Sequence, residues 1–361
     1  MPQQAGLVTT IAAPLEFSGA TDAPRVQGGA GRRLLVQRGD TELVVRALDA
    51  AAEAEEVRFP APWPGRYGHH AVAPAGDLAV FAGLHALRAV DREGRTRWEV
   101  RHRCWAGCAG HQDFAEYAGE RGHRYTGSGS AGFSSDGRLV WAHVRGSLDD
   151  DRGRGADEWL VLDSGDGTVL ARTATHTAAA GSGHVPHPDP ALMGLTVGEG
   201  QDGAPLRWGR WDGRTLAVDD FGGQDLVLLA VSPTGGRLLT VTHDQDTLAV
   251  HRVADGTVEA DLAADALPPH PASEAEAEDC EAEAFFDYEG GFVDEDTVVA
   301  GTVESDEEFG EGRHWLVEAS RMRPVDRIAY PFEVTGLPSG LGDGTWYTVS
   351  AAENALHIWA R

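Results

Sequence analysis

"GSGHVPHPDPALMGLTVGEGQDGAPLRWGRWDGRTLAV", residues 181–218, holds Gly183-His184 and then Trp211-Asp212, with 26 residues between the two dipeptides. Its first half, "HVPHPDPALMGLTV", reads as an extended strand, a tight turn marked by Pro190 and a second apolar strand. Its second half, "LRWGRWDGRTLAV", repeats that plan around Asp212-Gly213. Asp-Gly suits hairpin turns because glycine accepts the positive φ that they need. The whole stretch therefore predicts four short antiparallel strands, labelled a to d from the inside out.

Six further stretches repeat the first half: "QGGAGRRLLVQRG" from Gln27, "HAVAPAGDLAVFAG" from His70, "GFSSDGRLVWAHV" from Gly132, "AVSPTGGRLLTVTH" from Ala230, "GFVDEDTVVAGTV" from Gly291 and "GLGDGTWYTVSA" from Gly340. A second hairpin follows most of them, as in "EWLVLDSGDGTVLART" and "TLAVHRVADGTVEADL". The turn positions Gly31, Gly76, Gly137, Pro190, Gly236, Asp296 and Gly344 are spaced by 45, 61, 53, 46, 60 and 48 residues. A core period of about 45 is that of a propeller blade, and the longer spacings signal inserted loops. The units resemble a degenerate WD-repeat, or YVTN-like, seven-bladed β-propeller. Gly183-His184 and Trp211-Asp212 resemble that family's Gly-His and Trp-Asp marks, with Gly68-His69 and Gly122-His123 as looser versions. The resemblance implies an all-β fold of four-stranded antiparallel blades in one domain spanning residues 1–361. The last unit supplies too few strands before the chain ends. The Val, Thr and Ile of "GLVTTIAAPL" (residues 6–15) suit the missing outer strand, which would close the ring.

The 361 residues carry a formal net charge of −27, with arginine as the only strong base. Such a surface repels phosphate backbones and anionic lipids, so neither nucleic acid nor membrane is the expected partner. Cys104, Cys108 and Cys280 do not build a disulfide framework. "MPQQAGLVTTIAAPLEFSG" lacks a basic n-region and a long apolar run, which predicts a cytoplasmic protein without signal peptide or membrane span.

The long connections are predicted on one face, where strands d to a and b to c are joined. They include residues 59–70, 102–130, 145–158, 176–188, 198–205, 304–313 and an acidic insertion at about 263–291. Long loops on a rigid scaffold are where binding or chemistry usually sits. The acidic insertion has eight carboxylates between Glu274 and Glu289 and reads as a solvated, flexible segment or as a site for a cation or a basic partner. Phe285, Phe286 and Tyr288 predict that its end packs onto the fold. Asp149, Asp150, Asp151 and Asp157 offer oxygen ligands without EF-hand spacing, beside Arg152 and Arg154. "HRCWAGCAGHQ" offers His102, Cys104, Cys108 and His111, with His123 further on; these are zinc-ligand types, or else a packed loop with free cysteines.

His70 and His184 are expected at the starts of innermost strands, facing the channel of a propeller, with Glu199 or Asp202 as a carboxylate partner. The alternative for His184 and His69 is blade-stabilising hydrogen bonding, as at the family's Gly-His position. Trp63, Tyr67, Trp105 and His187 complete the candidate contact set. Two functions follow. One is a binding or scaffold module engaging a protein, a peptide or a small molecule through the loop face. The other is a hydrolase or lyase with a His/carboxylate site at the loop-face mouth. A quinone-dependent dehydrogenase lacks a cofactor repeat, and a single asparagine, Asn354, does not suit a lactonase-like calcium centre. No cofactor is required, although a divalent metal is compatible with the residues present.

Overall fold

The computed structural model describes residues 2–29, 32–48, 56–108, 110–124, 126–148, 157–221, 225–268, 284–304 and 313–361. They form seven antiparallel sheets, each with four strands of the repeat. Blade 1 is Arg25–Gly29, Arg32–Arg38, Glu42–Ala47 and Glu56–Pro60. Blade 2 is Gly68–Val72, Leu78–Gly83, Ala86–Asp91 and Thr96–Arg101. Blade 3 is Ser130–Phe133, Leu139–Val144, Glu158–Asp163 and Val169–Ala174. Blade 4 is Gly181–Pro186, Leu192–Gly198, Leu206–Trp211 and Leu216–Asp220. Blade 5 is Leu226–Val231, Arg237–Thr242, Thr247–Arg252 and Val258–Ala263. Blade 6 is Ala284–Asp294, Thr297–Glu304, Arg313–Glu318 and Arg323–Ala329. Blade 7 has Ser339–Gly340, Thr345–Ser350 and Ala355–Ala360, and its outer strand is the N-terminal Gly6–Ala12. The fold is a WD-repeat-like seven-bladed β-propeller.

The N-terminal strand completes blade 7 as its composition predicts. Gly6 pairs with Ala360 and Ala12 with Ala355, antiparallel, with one bulge between Leu7 and Thr9. Just before it, Gln3–Gln4 pairs parallel with Ile328 and Ala329 of blade 6. These two pairings cover what would otherwise be open strand edges.

The c–d turns show why Asp and Gly recur. In blade 4 the Asp212 carboxylate accepts the N–H groups of Arg214 (2.8 Å) and Thr215 (2.7 Å), which holds its pKa below the usual carboxylate range. Asp91 does the same for Glu93 and Arg95, and Asp255 for Thr257. The aspartate of the Trp-Asp pair is thus a turn residue. Trp211 packs at the edge of the blade 3–4 core.

The cores lie between neighbouring blades, lined mainly by strands a to c, with Phe59, Trp98, Leu262 and Ile328 contributed by outer strands. Trp141 and Trp159 of blade 3, ring centroids 5.1 Å apart, are fully buried with Met193, Leu195 and Val197 of blade 4. Gly209 makes their seating possible, since a Cβ there would lie 2.5 Å from Trp141 and 2.8 Å from Trp159. Likewise Gly132 lets strand a of blade 4 approach, because its Cβ would meet that of His184 at 2.7 Å.

By internal contacts the chain divides into two compact units, Pro14–Phe221 with blades 1 to 4, and Met1–Ala13 with Gly222–Arg361, which hold blades 5 to 7. The first strand of blade 6 already begins at Ala284, so the acidic insertion ends earlier than position 291. Phe286 is fully buried there, as its type predicts. The acidic residues 269–283, the aspartates at 149–151, Cys280 and the Gly31 turn lie outside the described residues. Among the described residues no helix is long and apolar enough to cross a membrane.

Candidate functional site

In the first unit the connection 102–129, between blades 2 and 3, has no strand among its described residues. Two short 3-10 turns, Phe114–Glu116 and Arg121–His123, reverse its course. The first is capped by the Asp113 carboxylate, which accepts Ala115 N–H at 3.0 Å. The loop is tied to blade 2 through Trp105 N–H to the Leu84 carbonyl (3.0 Å) and His102 N–H to the His85 carbonyl (2.9 Å). Tyr117 sits in its centre, fully buried, with its hydroxyl 2.7 Å from His85 Nδ1. Tyr67, Phe114, His111 and His123 surround that ring, the last stacked at 4.9 Å.

This reversal gathers four chemistry-bearing side chains. One ligand atom each from Cys104, Cys108, His111 and His123 lies within 4.8 Å of every other. Cys108 Sγ is 3.0 Å from His111 Nε2 and 3.4 Å from His123 Nε2, and the two Nε2 atoms are 3.3 Å apart. On the far sides of the rings, His111 Nδ1 lies 3.1 Å from a Glu116 oxygen and His123 Nδ1 2.9 Å from a Glu120 oxygen. The first is a hydrogen bond; the second is an ion-pair approach at an angle poor for one. Burial pushes the Cys104 thiol up to about 12. His102 stands outside the cluster, with its Nδ1 at 2.7 Å from the Arg103 carbonyl. His123 takes the place that the sequence pattern offered to His102.

The aromatic candidates turn inward. Trp63, Tyr67 and Trp105 are all buried, as is His187, so none presents a face to a partner. Trp63 packs on Gly83, whose Cβ would lie 2.5 Å from the indole, and Trp105 meets His143 edge-on at 5.5 Å. His187 Nδ1 accepts Asp189 N–H at 2.9 Å. Their large apolar surface belongs to the core, which is what burial of aromatics ordinarily achieves.

His184 is the fourth residue of Gly181–Pro186, in the body of the strand and not at its start. Its Nε2 accepts the Trp159 indole N–H at 2.9 Å. The ring proton is therefore on Nδ1, which donates to Ser130 Oγ at 2.8 Å. Both nitrogens are used to join blade 4 to blade 3. Burial pushes its pKa down to about 3, with His143 and His69 acting in the same direction. His70 is pushed down to about 3 by desolvation, then by Arg38, His69 and Arg25. His69 touches solvent yet is crowded by protein, and that crowding lowers its pKa against an opposing pull from Asp22.

The expected carboxylate partners are elsewhere. Glu199 accepts Ala178 N–H at 2.6 Å, and Asp202 is exposed in the 3-10 turn Gly200–Asp202. Among the described residues no hydrogen bond joins His70 or His184 to either. Asp157 is wholly buried against Arg145 (2.6 Å) and Ala179 N–H (3.0 Å), so its charge is neutralised within the fold. A groove of about 440 Å³ beside Arg313, Trp315 and Asp326 in the second unit contains none of the candidate histidines.

Among the described residues, ten large hydrophobic side chains remain exposed, and they fall into two groups. Leu7, Val8, Leu170, Val258 and Val325 are on outer strands. Leu148 (39% exposed), Val303 (47%), Phe332 (39%) and Leu337 (40%) are in or beside d–a and b–c connections, and Tyr288 (44%) is within the first strand of blade 6, with its hydroxyl donating to the His243 carbonyl. Among the described residues none is in an a–b or c–d turn. The backbone segments that carry three of these are neighbours: Pro338, next to Leu337, approaches Gly301 of the Val303 strand, and Ser339 Oγ donates to Glu289, next to Tyr288, at 3.3 Å.

No family model and no curated protein matches this sequence. Solved structures do. The Cps50 (Swd1) β-propeller domain of Myceliophteria thermophila aligns over 99% of both chains with a TM-score of 0.57 at 11% identity. U3-55K aligns over 94% of this chain and 98% of its own with a TM-score of 0.53 at 10% identity. At that identity the likeness is one of fold.

Proposed function

We propose that the protein is a non-enzymatic binding module whose partner docks on the connections entering and leaving blade 6. The observation that carries this is the exposure of Tyr288, Val303 and Leu337 on blade 6 and the connection that follows it, whereas most of the other exposed apolar side chains lie on outer strands. Acidic sequence adjoins them, with Asp306, Glu307, Glu308 and Glu311 following Val303. A protein or peptide offering both apolar and basic side chains fits this combination. The propeller fold, shared with Swd1 and U3-55K, supports a scaffold role. We place the protein in the cytoplasm, where the thiols of Cys104 and Cys108 stay reduced, a setting that cell fractionation tests.

The enzymatic alternative has less support. His184 spends both nitrogens on blade contacts, and His70 is flanked by arginine charge with no carboxylate to orient it. A neutral imidazole whose conjugate acid titrates near 3 is a weak base at neutral pH. The test is cross-linking to a partner captured from the native source. Cross-links should fall within 284–304 and 330–338, and Val303→Glu with Leu337→Glu should weaken capture at least tenfold. Arg138→Glu, in an a–b turn with its side chain 86% exposed, should leave capture unchanged. Cross-links concentrated in the a–b turns would overturn the proposal.

A further inference from the structure

We propose that Cys104, Cys108, His111 and His123 are the four ligands of a structural zinc ion that pins the 102–129 connection to blade 2. The distances fit the ion before it is placed. Zinc bonds of about 2.3 Å to sulfur and about 2.0–2.1 Å to nitrogen give tetrahedral edges of roughly 3.3 Å between nitrogens and roughly 3.5 Å between nitrogen and sulfur. Three of the six edges are 3.3 Å for the two Nε2 atoms and 3.0 and 3.4 Å from Cys108 Sγ to them, and the three to Cys104 Sγ are no longer than 4.8 Å.

Ring orientation supplies a second, independent argument. Each histidine turns Nδ1 to a carboxylate, Glu116 for His111 and Glu120 for His123. A carboxylate hydrogen-bonded at Nδ1, as Glu116 is for His111, holds the proton there and leaves the Nε2 lone pair free; at His123 the Glu120 charge lies beside Nδ1 without a hydrogen bond. The two Nε2 atoms face one another at 3.3 Å beside a sulfur. A cation at the centre would bind both nitrogens and the sulfur at once. Glutamates three residues before His123 and five after His111 thus have a purpose that the bare spacing of cysteines and histidines hides.

Two sulfurs with two imidazole nitrogens in a tetrahedron select zinc among the common divalent ions. Four protein ligands fill that tetrahedron and leave no position for water or substrate, which makes the ion structural. Each cysteine binds as thiolate, so loading the site releases two protons to solvent. The consequence is local: a connection without strands gains a fixed course over Leu84 and His85, and Tyr117 is held at its centre.

The experiment is metal analysis of the full chain, purified under reducing conditions without chelator and titrated with zinc chloride. About one equivalent of bound zinc is expected. Cobalt chloride added to chelated protein should give the thiolate charge-transfer and tetrahedral d–d bands of an S2N2 site. Cys108→Ser should lose at least tenfold in zinc affinity. Glu116→Gln should lose roughly ten- to hundredfold while the four ligands remain. The spectroscopic arm uses unsubstituted protein, so a variant that fails to fold does not decide the question. Substoichiometric zinc in folded, reduced protein, cobalt spectra without thiolate bands, or unchanged affinity in Cys108→Ser would each overturn the proposal. So would a Cys104–Cys108 disulfide in the protein as isolated from the cytoplasm.

Discussion

The 102–129 connection and the connections of blade 6 use their side chains in opposite directions. The first holds two cysteines, three histidines, Trp105 and Tyr117 at its heart and several carboxylates, and it spends nearly all of them on itself. Tyr117 and Cys104 are fully buried, and His123 is nearly so. The blade 6 connections look ordinary by residue type, yet they leave Tyr288, Val303 and Leu337 in water. A segment rich in reactive residue types is therefore the one that needs internal chemistry to hold a course without strands. A segment with plain apolar residues has surface left over for a partner. Chemical interest in the sequence and availability at the surface are separate properties.

Tyrosine at the two places gives the largest contrast. Tyr117→Ala removes a fully buried ring from the centre of the insertion and orphans the His85 contact. A loss of about 3–5 kcal/mol is expected, as for other large-to-small aromatic changes. Tyr288→Ala removes a ring that is 44% exposed and should cost less than about 1 kcal/mol. Urea unfolding of both variants checks this, and equal losses would break the distinction between inward and outward loops.

Acid should act next, through the inward-turned histidines. Burial pushes His143, beneath Trp105, down to about 3, and its two ring nitrogens have no hydrogen-bond partner. The folded chain thus binds fewer protons than the unfolded one, whose histidine titrates near 6.5. Stability is full above about pH 6.5 and falls as pH drops toward the folded value. For His143 the loss at pH 5 is on the order of 2 kcal/mol, with His184 adding in the same direction. Calorimetry at pH 7, 6 and 5 would show it. A Tm that stays flat to pH 5 would mean that these rings are protonated in the fold.

A smaller effect separates blade bonding from ligand contact. His184→Ala leaves the Trp159 indole N–H without its acceptor inside the core. The expected loss is about 1–3 kcal/mol, the cost of an unsatisfied buried donor. Partner capture by the folded variant should be unchanged. Loss of capture at full stability would return His184 to the list of contact residues.

Most of the fold is legible in the sequence because turns and strands are local. Asp or Gly between two apolar runs is enough to fix a hairpin, and Val, Thr and Ile near the start are enough to mark a spare strand. The donor set is only partly legible. Cys104, Cys108 and His111 are close in sequence, but His123 returns to them through two 3-10 turns that spacing rules do not foresee. The one local signal is Glu120, three residues earlier, a carboxylate 2.9 Å from the His123 Nδ1. The direction of Trp63, Tyr67 and Trp105 is illegible for another reason: an aromatic in a loop serves a core or a surface equally well by type. Only Gly83, which leaves room for the Trp63 indole, and Gly129, which does so for Trp105, reveal the choice.

The smallest change tests the outward surface most cleanly. Val303→Thr keeps the branched shape that suits a strand and swaps one methyl for a hydroxyl. Val303 is 47% exposed, so in the free protein that hydroxyl stays hydrated and stability should move by less than about 0.5 kcal/mol. Docking of an apolar partner would strip that water without supplying a hydrogen bond, at a cost of about 1 kcal/mol or slightly more. Affinity should therefore fall roughly five- to tenfold while the unfolding curve overlays that of the unsubstituted protein. The same swap at Val258, on the outer strand of blade 5, is the matched control, since it too is exposed but lies away from the connections. Equal weakening at both sites would show that the partner follows general surface hydrophobicity, and the blade 6 connections would lose their claim to be the docking site.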